Sequence, residues 1–303
     1  MSDTYEKTDQ GPGKLFCFGL GYTGLALAKA LIADGWQVAG TSRTAESASF
    51  LTEQGIEAFV FDRTRPLADA GSALKGVTHL LSSVPPDETG DPVLDCHADD
   101  LEALAQNTAW AGYLSTTVVY GNRDGGWVDE SSARTPGVAR GQRRVDAEDR
   151  WIALGQASNI PVHLFRLAGI YGPGRSAFDQ IRAGREKRVE RPGQVFSRIH
   201  VEDIVAVLRA SMQQPRAGAA YNLCDDNAAA PADVTAFACE LMGVPVPPAV
   251  QYEDADLSDM AKTFWADNKR VRNNLLQQEL GVTLKYPDYR SGLRAILAAE
   301  QAG

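Results

Sequence analysis

Leu15-Phe16-Cys17-Phe18, Gly19-Leu20-Gly21-Tyr22-Thr23-Gly24 and Leu25-Ala26-Leu27-Ala28-Lys29-Ala30-Leu31 follow one another without a break. The first segment reads as a buried strand and the third as a helix. Glycines at this spacing let the backbone approach a pyrophosphate closely and aim a helix N-terminus at its negative charge. The motif alone is weak; its place between strand and helix gives it meaning. Gly19, Leu20, Gly21, Tyr22, Thr23 and Gly24 are therefore the candidate dinucleotide cradle. The plainer alternative is a strand–turn–helix whose glycines only relieve crowding.

The end of the second strand bears on which dinucleotide is held. Gln37-Val38-Ala39-Gly40-Thr41 follows the turn Asp34-Gly35 and is expected to run parallel to the first strand. An NAD site usually carries Asp or Glu about 20 residues beyond the first glycine, to bond the ribose 2′-hydroxyl. Here the region reads Thr41-Ser42-Arg43-Thr44 and has no acid. Ser42 can hydrogen-bond a 2′-phosphate and Arg43 can pair with it. NADP(H) is the expected cofactor, ahead of NAD(H). The alternative leaves Arg43 a solvated loop residue.

Composition sets outer bounds. The chain has 303 residues, 44% hydrophobic and 23% charged, enough to bury a large core in a soluble globular protein. A net charge of −9 disfavours nucleic acid or an anionic membrane as the main partner. No apolar run is long enough to span a bilayer, and no signal peptide is read, so a cytoplasmic protein with a small-molecule substrate is expected. Cys17, Cys96, Cys224 and Cys239 form no CxxC and have no histidines at metal-ligand spacing, which suggests reduced thiols and no metal.

Strand and helix patterns alternate along the chain. Ala58–Phe61 and His79–Ser82 read as the third and fourth strands, Asp99–Thr108 as a helix, Tyr113–Thr116 as the opening of a fifth strand, Val145–Leu154 as a helix and Val162–Arg166 as a sixth strand. This order predicts an α/β fold: a Rossmann-type, doubly wound parallel sheet with a smaller C-terminal α/β substrate domain. Residues 1–13 are polar and glycine-rich and are expected to be a disordered lead-in. Residues 14–166 with about 200–224 form the expected dinucleotide-binding domain, and about 167–199 with 225–303 the substrate domain.

Further motifs fall in a recognisable order: Asp62; Leu114-Ser115-Thr116-Thr117-Val118-Val119-Tyr120-Gly121; Arg166-Leu167-Ala168-Gly169-Ile170-Tyr171-Gly172-Pro173-Gly174; Ile199-His200-Val201-Glu202-Asp203; and Tyr221-Asn222-Leu223. With Gly19–Gly24 they make six collinear matches, over nearly the whole chain. The chain resembles the extended short-chain dehydrogenase/reductases, the NAD-dependent epimerase/dehydratase family. Phe18 stands where the extended members usually have their first glycine, as in the atypical branch. The resemblance implies that Asp62 accepts from the adenine amino group and that Ser82, Ser83 and Val84 line ribose and pyrophosphate. It places Thr116 on the family's catalytic Ser/Thr, beside the nicotinamide. The alternative for Thr116 is an ordinary β-branched strand residue. Relatives often dimerise, so a homodimer is the implied assembly.

One departure from the family is decisive. Its YxxxK pair corresponds here to Arg140 and Arg144, with Glu148 following. Arg144 keeps a charge and donors for ribose hydroxyls. Arg140 cannot inherit proton transfer, because a guanidinium stays protonated. Tyr171 is the best substitute as proton donor. Tyr120 reads as a packing residue, Asp129-Glu130 as solvated, and His200 as a structural residue joining the domains.

The substrate side is locally basic, with Arg175, Arg182, Arg185, Lys187, Arg188, Arg191 and Arg198. This run suits a phosphate or carboxylate, and equally a solvated helix face. Nucleotide-sugar members grip a diphosphate with an arginine four residues before the His of the Ile-His-Val signature. Phe196 occupies that slot, which weakens a nucleotide-sugar assignment. Two functions remain. One is an NADP(H)-dependent oxidoreductase or epimerase, acting by hydride transfer on a small polar carbonyl or alcohol that is sugar-like or phosphorylated. The other is a non-catalytic NADP(H)-binding redox sensor or regulator.

Overall fold

The computed structural model describes residues 12–184 and 186–302. Residues 1–11 of the expected lead-in, together with Arg185 and Gly303, lie outside the described residues. Gly13, counted in that lead-in, is packed: a Cβ there would sit 2.5 Å from Thr78 Oγ1, and its carbonyl accepts from Gln37 N at 3.1 Å.

The central sheet has seven strands: β1 (Lys14–Phe18), β2 (Gln37–Ser42), β3 (Glu57–Val60), β4 (His79–Ser82), β5 (Trp110–Thr116), β6 (Val162–Leu167) and β7 (Ala220–Leu223). All neighbours are parallel and the order is β7-β6-β5-β4-β1-β2-β3. This is the doubly wound sheet expected. Its order reverses between β1 and β4, the place where such sheets open a crevice for ligands.

Alternating side chains feed two cores, one on each face. Leu15, Cys17 and Leu114 join Leu27 and Leu31 of the helix Tyr22–Ala33, and Ile204, Val207 and Leu208 of the helix Val201–Gln213. Phe16, Phe18 and Tyr113 face the opposite way, onto Val93, Leu101, Trp151 and Leu154. These last residues belong to the helices Pro92–Ala103 and Ala139–Ser158.

The first of those helices starts earlier than periodicity suggested, because Asp91 caps it and Pro92 fits its first turn. The second includes the basic segment expected to precede it. Arg140 and Arg144 are thus one turn apart on a continuous helix. Strand β5 also begins earlier, at Trp110, which is fully buried.

The smaller unit has its own core of Tyr171, Phe178, Val234, Ala238, Tyr289, Leu293 and Ile296. It is built on the helices Ala177–Arg182, Pro231–Met242 and Tyr289–Ala302. Two parts of the expected substrate domain return to the sheet side. Arg270–Val271 pairs with Trp127–Val128, and the helix Asn274–Leu280 buries Leu276 and Leu280 in the Leu15 core.

Candidate functional site

The glycine turn is fixed from below. Gly19 has φ +86°, a left-handed backbone that favours glycine. Its N–H donates to Thr41 Oγ1 at 2.9 Å, and Leu20 N–H donates to the Thr41 carbonyl at 2.8 Å. Ser83 Oγ donates to the Gly19 carbonyl. A Cβ on Gly19 would lie 2.8 Å from Ser83 Oγ and 3.1 Å from Val84 Cγ2. Gly24 lets the helix settle on the strand: a Cβ there would meet the Gly19 carbonyl and Cys17 Sγ at 3.0 Å. Gly21, the N-cap, has no heavy atom within 4 Å of a built Cβ. Side-chain-free backbone therefore faces open space just ahead of a helix N-terminus, which fits a pyrophosphate.

Of the remaining residues expected here, Ser83 and Val84 stand against Gly19. Ser82 and Thr23 are buried, and Ser82 Oγ finds no protein partner among the described residues. Tyr22 reaches across to the smaller unit, where its hydroxyl donates to the Pro173 carbonyl at 3.0 Å and Arg175 lies 5.5 Å above its ring.

At the far end of β2, Arg43 is exposed and Ser42 Oγ donates to the Thr44 carbonyl at 3.0 Å. Asp62 departs from its expected role, because both carboxyl oxygens are engaged locally. One accepts from Thr64 N–H and Oγ1, at 2.9 and 2.6 Å; the other accepts from Arg65 Nε at 2.9 Å and from Nη2. The Arg65 hydrogen bonds hold this carboxyl well below the usual carboxylate range. Arg65 also donates to the Arg43 carbonyl at 2.8 Å. It was missed in the sequence, where it is one more arginine in a turn.

A cleft of about 1090 Å³ lies between the sheet and the smaller unit; Thr116, Arg140, Ile170, Lys187, Phe196 and Lys269 are among its walls. Thr116 ends β5 and its Oγ1 accepts from Val118 N–H at 3.3 Å. Arg140 stacks on Phe264, with its guanidinium carbon 3.8 Å from the ring centre. Arg144 points elsewhere: its Nη1 donates to Tyr113 Oη and to the Leu114 carbonyl, both at 2.9 Å, which ties it to β5.

Tyr171 does not suit proton donation. Its hydroxyl packs against Gly292, where a Cβ would be 2.1 Å away, and donates to the Asp288 carbonyl at 3.3 Å. Burial pushes it far above the usual phenol range. Tyr171 lines the cleft, and its hydroxyl and the adjoining ring edge pack on the last helix at Gly292.

His200 behaves as a packing residue between Tyr171 and Tyr286, with ring centres 5.1 and 4.1 Å away, and burial pushes its pKa down to about 4. Tyr120 is buried and donates to Asn222 Oδ1 at 2.7 Å. Glu130 is not the solvated residue expected, since its Oε1 accepts from Asn222 N–H at 2.7 Å. Lys269 was missed by sequence reading. It is 9% exposed, pairs with Asp267 at 3.0 Å, and burial draws its ammonium below the usual lysine range.

The basic run divides among separate roles rather than forming one clamp. Arg182 pairs with Glu300 and Arg188 with Glu190. Arg191 donates to the Trp265 carbonyl at 2.8 Å. Arg198 donates to the carbonyls of Phe196 and Ala229, at 2.8 and 3.0 Å. Phe196 and Trp265 meet edge to face, with ring centres 5.4 Å apart. Among the described residues no cluster of His, Cys, Asp and Glu suits a metal, no helix is long and apolar enough to cross a membrane, and all four cysteines are free thiols.

No family model matches the chain. It is similar to the structure of a functionally unknown conserved protein from Silicibacter pomeroyi DSS, at 51% identity and a TM-score of 0.88, covering 95% of this chain and 99% of that one. A structure from Methylobacillus flagellatus, named for the NAD-dependent epimerase/dehydratase group, is 26% identical with a TM-score of 0.69, over 95% and 99% of the two chains. Protein YeeZ of Escherichia coli (strain K12) is 28% identical over 286 residues, 91% of this chain and 97% of its own length. Nucleotide-sugar dehydratase and epimerase structures containing NAD share the fold at 15% identity, with TM-scores of 0.76 and 0.75. Several of the structural neighbours are thus named as NAD-dependent epimerases or dehydratases, and the fold that the sequence resemblance implies is matched in three dimensions.

Proposed function

On a fold shared with NAD-dependent epimerases and dehydratases, we propose that this protein is an oxidoreductase or epimerase that holds a nicotinamide dinucleotide over Gly19–Gly24. It acts on a small polar carbonyl or alcohol in the adjoining cleft. The observation that carries the reading is the Gly19 turn. Its left-handed backbone, held against Ser83 and Val84, fixes the turn, and the open space ahead of Gly21 makes a cradle that a side chain at Gly21 would enter.

When bound, the dinucleotide supplies a hydride donor or acceptor. The protein's own residues bind and orient. The first-turn N–H groups would hold the pyrophosphate, Ser83 and Val84 would flank it at the turn, and Thr116 Oγ1 would offer a hydrogen bond to the substrate oxygen. Thr116→Ala is expected to lower turnover by about tenfold or more while leaving cofactor affinity unchanged, the pattern of an interaction made in the transition state. The measurement is cofactor oxidation with a panel of aldehydes, ketones and keto-sugars. Unchanged turnover in the variant removes Thr116 from the reaction.

The finer assignment is NADP(H). The β2 end has no acid to repel a 2′-phosphate, and Arg43 is exposed beside it. A charge-assisted hydrogen bond contributes about 1.5–3 kcal/mol, so Arg43→Ala is expected to weaken NADPH about tenfold or more and leave NADH unaffected. Equal wild-type affinity for the two cofactors contradicts the assignment.

A second reading, a cofactor-binding sensor without chemistry, is favoured by one pair of observations. Arg140 stands where the family's tyrosine would be, and the Tyr171 hydroxyl is turned onto Gly292. Tight cofactor binding with no turnover across the panel would select it.

A further inference from the structure

We infer that Arg140 is an anion-binding residue and that the compound taken into the cleft carries a carboxylate or phosphate group. The inference rests on reading the cleft as a substrate site, and not on hydride transfer. Arg140 is the second residue of the helix Ala139–Ser158 and lines the cleft beside Thr116, Thr117 and Val118. Phe264, itself 48% exposed, covers one face of its guanidinium at 3.8 Å. The stack fixes the plane of the group, so its directed contacts are made along its edges.

One edge is conspicuous. Nε and Nη2 of Arg140 are buried and have no hydrogen-bond partner among the described residues. Their N–H bonds run side by side, in the fork that matches two oxygens of one carboxylate or phosphate. Buried donors of this kind are rarely left without an acceptor. The acid that faces Arg140 is Asp267, and its carboxylate is already engaged by Lys269 at 3.0 Å. Asp267 is therefore shared between two cations and makes no hydrogen bond to the Nε–Nη2 edge of Arg140.

The other basic groups of the cleft do not offer the same fork. Arg198 is half-buried and turned onto two backbone carbonyls, Lys187 and Arg175 are exposed, and Phe196 contributes no donor. Arg140, which is unsuited to move a proton, is well suited to hold an oxyanion in a fixed orientation. The tyrosine-to-arginine departure thereby converts a proton-transfer position into one that recognises a charged group of the substrate.

The test is calorimetric titration of the full chain with inorganic phosphate and, separately, with malonate. Chloride holds the ionic strength constant, and the wild type is compared with Arg140→Gln, Arg140→Lys and Gly19→Val. The expected result is saturable binding of at least one anion, weakened about tenfold or more by Arg140→Gln. Lysine, lacking the fork, restores only part of the loss, and Gly19→Val has little effect. The preferred anion separates a phosphate-bearing from a carboxylate-bearing substrate. Circular dichroism and thermal melting of Arg140→Gln check folding; removing an unpaired buried charge is expected to leave the melting temperature unchanged or raise it.

Two results overturn the inference: absence of saturable binding of either anion, or binding that survives Arg140→Gln. Anion binding that survives there but disappears in Gly19→Val belongs to the glycine turn. NADPH titration of the same variants separates the two readings. Anion binding at Arg140 without any cofactor binding removes the dinucleotide assignment and leaves this one standing.

Discussion

Gly19→Val is expected to abolish dinucleotide binding, weakening NADPH by at least about a hundredfold, or nearly 3 kcal/mol. Two effects combine. Valine is a poor occupant of φ +86°, where even unbranched residues cost about 1–2 kcal/mol. Its Cβ would also stand 2.8 Å from Ser83 Oγ and 3.1 Å from Val84 Cγ2, so the β4 end must move away from the turn. The Ser83 hydrogen bond to the Gly19 carbonyl and the Thr41 tether to the Gly19 N–H then lose their geometry together. Gly21→Ala is the informative companion. A Cβ there meets no heavy atom of the protein within 4 Å, so any loss of affinity reports contact with the ligand rather than damage to the turn. Fluorescence titration of NADPH on the two variants, with circular dichroism to show retained fold, measures both effects.

Glu148→Ala is expected to lower unfolding stability by about 3–5 kcal/mol, the cost of leaving a buried charge without its partner. Glu148 is fully buried. Its Oε1 accepts from Ser115 Oγ at 2.6 Å and Arg166 Nε at 3.1 Å; its Oε2 accepts from Arg166 Nη2 at 2.8 Å and Arg134 Nη1 at 3.1 Å. Removing the carboxylate leaves Arg166, 5% exposed, with only Tyr120 Oη and the Glu130 carbonyl as acceptors. Against a typical total of about 5–15 kcal/mol this is a large fraction, and urea denaturation will resolve it. The double variant Glu148→Leu with Arg166→Met is expected to recover much of the loss, because paired apolar side chains leave no stranded charge. Additive losses would show that the two side chains contribute separately. Ser115 ties this network to β5 one residue before Thr116, so the single variant is also expected to disturb the cleft.

The parts of the fold that were legible in the sequence are those where local pattern and tertiary context agree. Apolar strands joined by glycine turns predicted the parallel sheet, and Gly19 in its left-handed conformation is what that spacing anticipated. Helix limits were read less well. Asp91-Pro92 is a start signal, yet the polar surface around Asp95, Asp99 and Asp100 hid the first turns of that helix. The Ala139–Ser158 helix begins in a basic stretch with no capping side chain, so nothing local marks its first residue.

The site was legible in position and less so in role. Motif order placed Thr116 and Arg140 at one cleft. It could not show that Arg144 lies along β5, or that the Tyr171 hydroxyl faces Gly292, a residue more than a hundred positions away. Asp62 read as a free acceptor because its partner, Arg65, is a surface residue whose direction depends on the turn between them. Lys269 carried no signal, since only its pairing with Asp267 and its burial in the cleft wall set it apart.

The central claim is that this chain holds a nicotinamide dinucleotide at the Gly19–Gly24 turn, and a titration of the wild-type protein with NADPH and NADH, followed by nicotinamide fluorescence, tests it most directly. Saturable binding of one molecule per chain, tighter for NADPH and lost in Gly19→Val, is the predicted result. No saturable binding of either cofactor, or binding that Gly19→Val leaves intact, would contradict it.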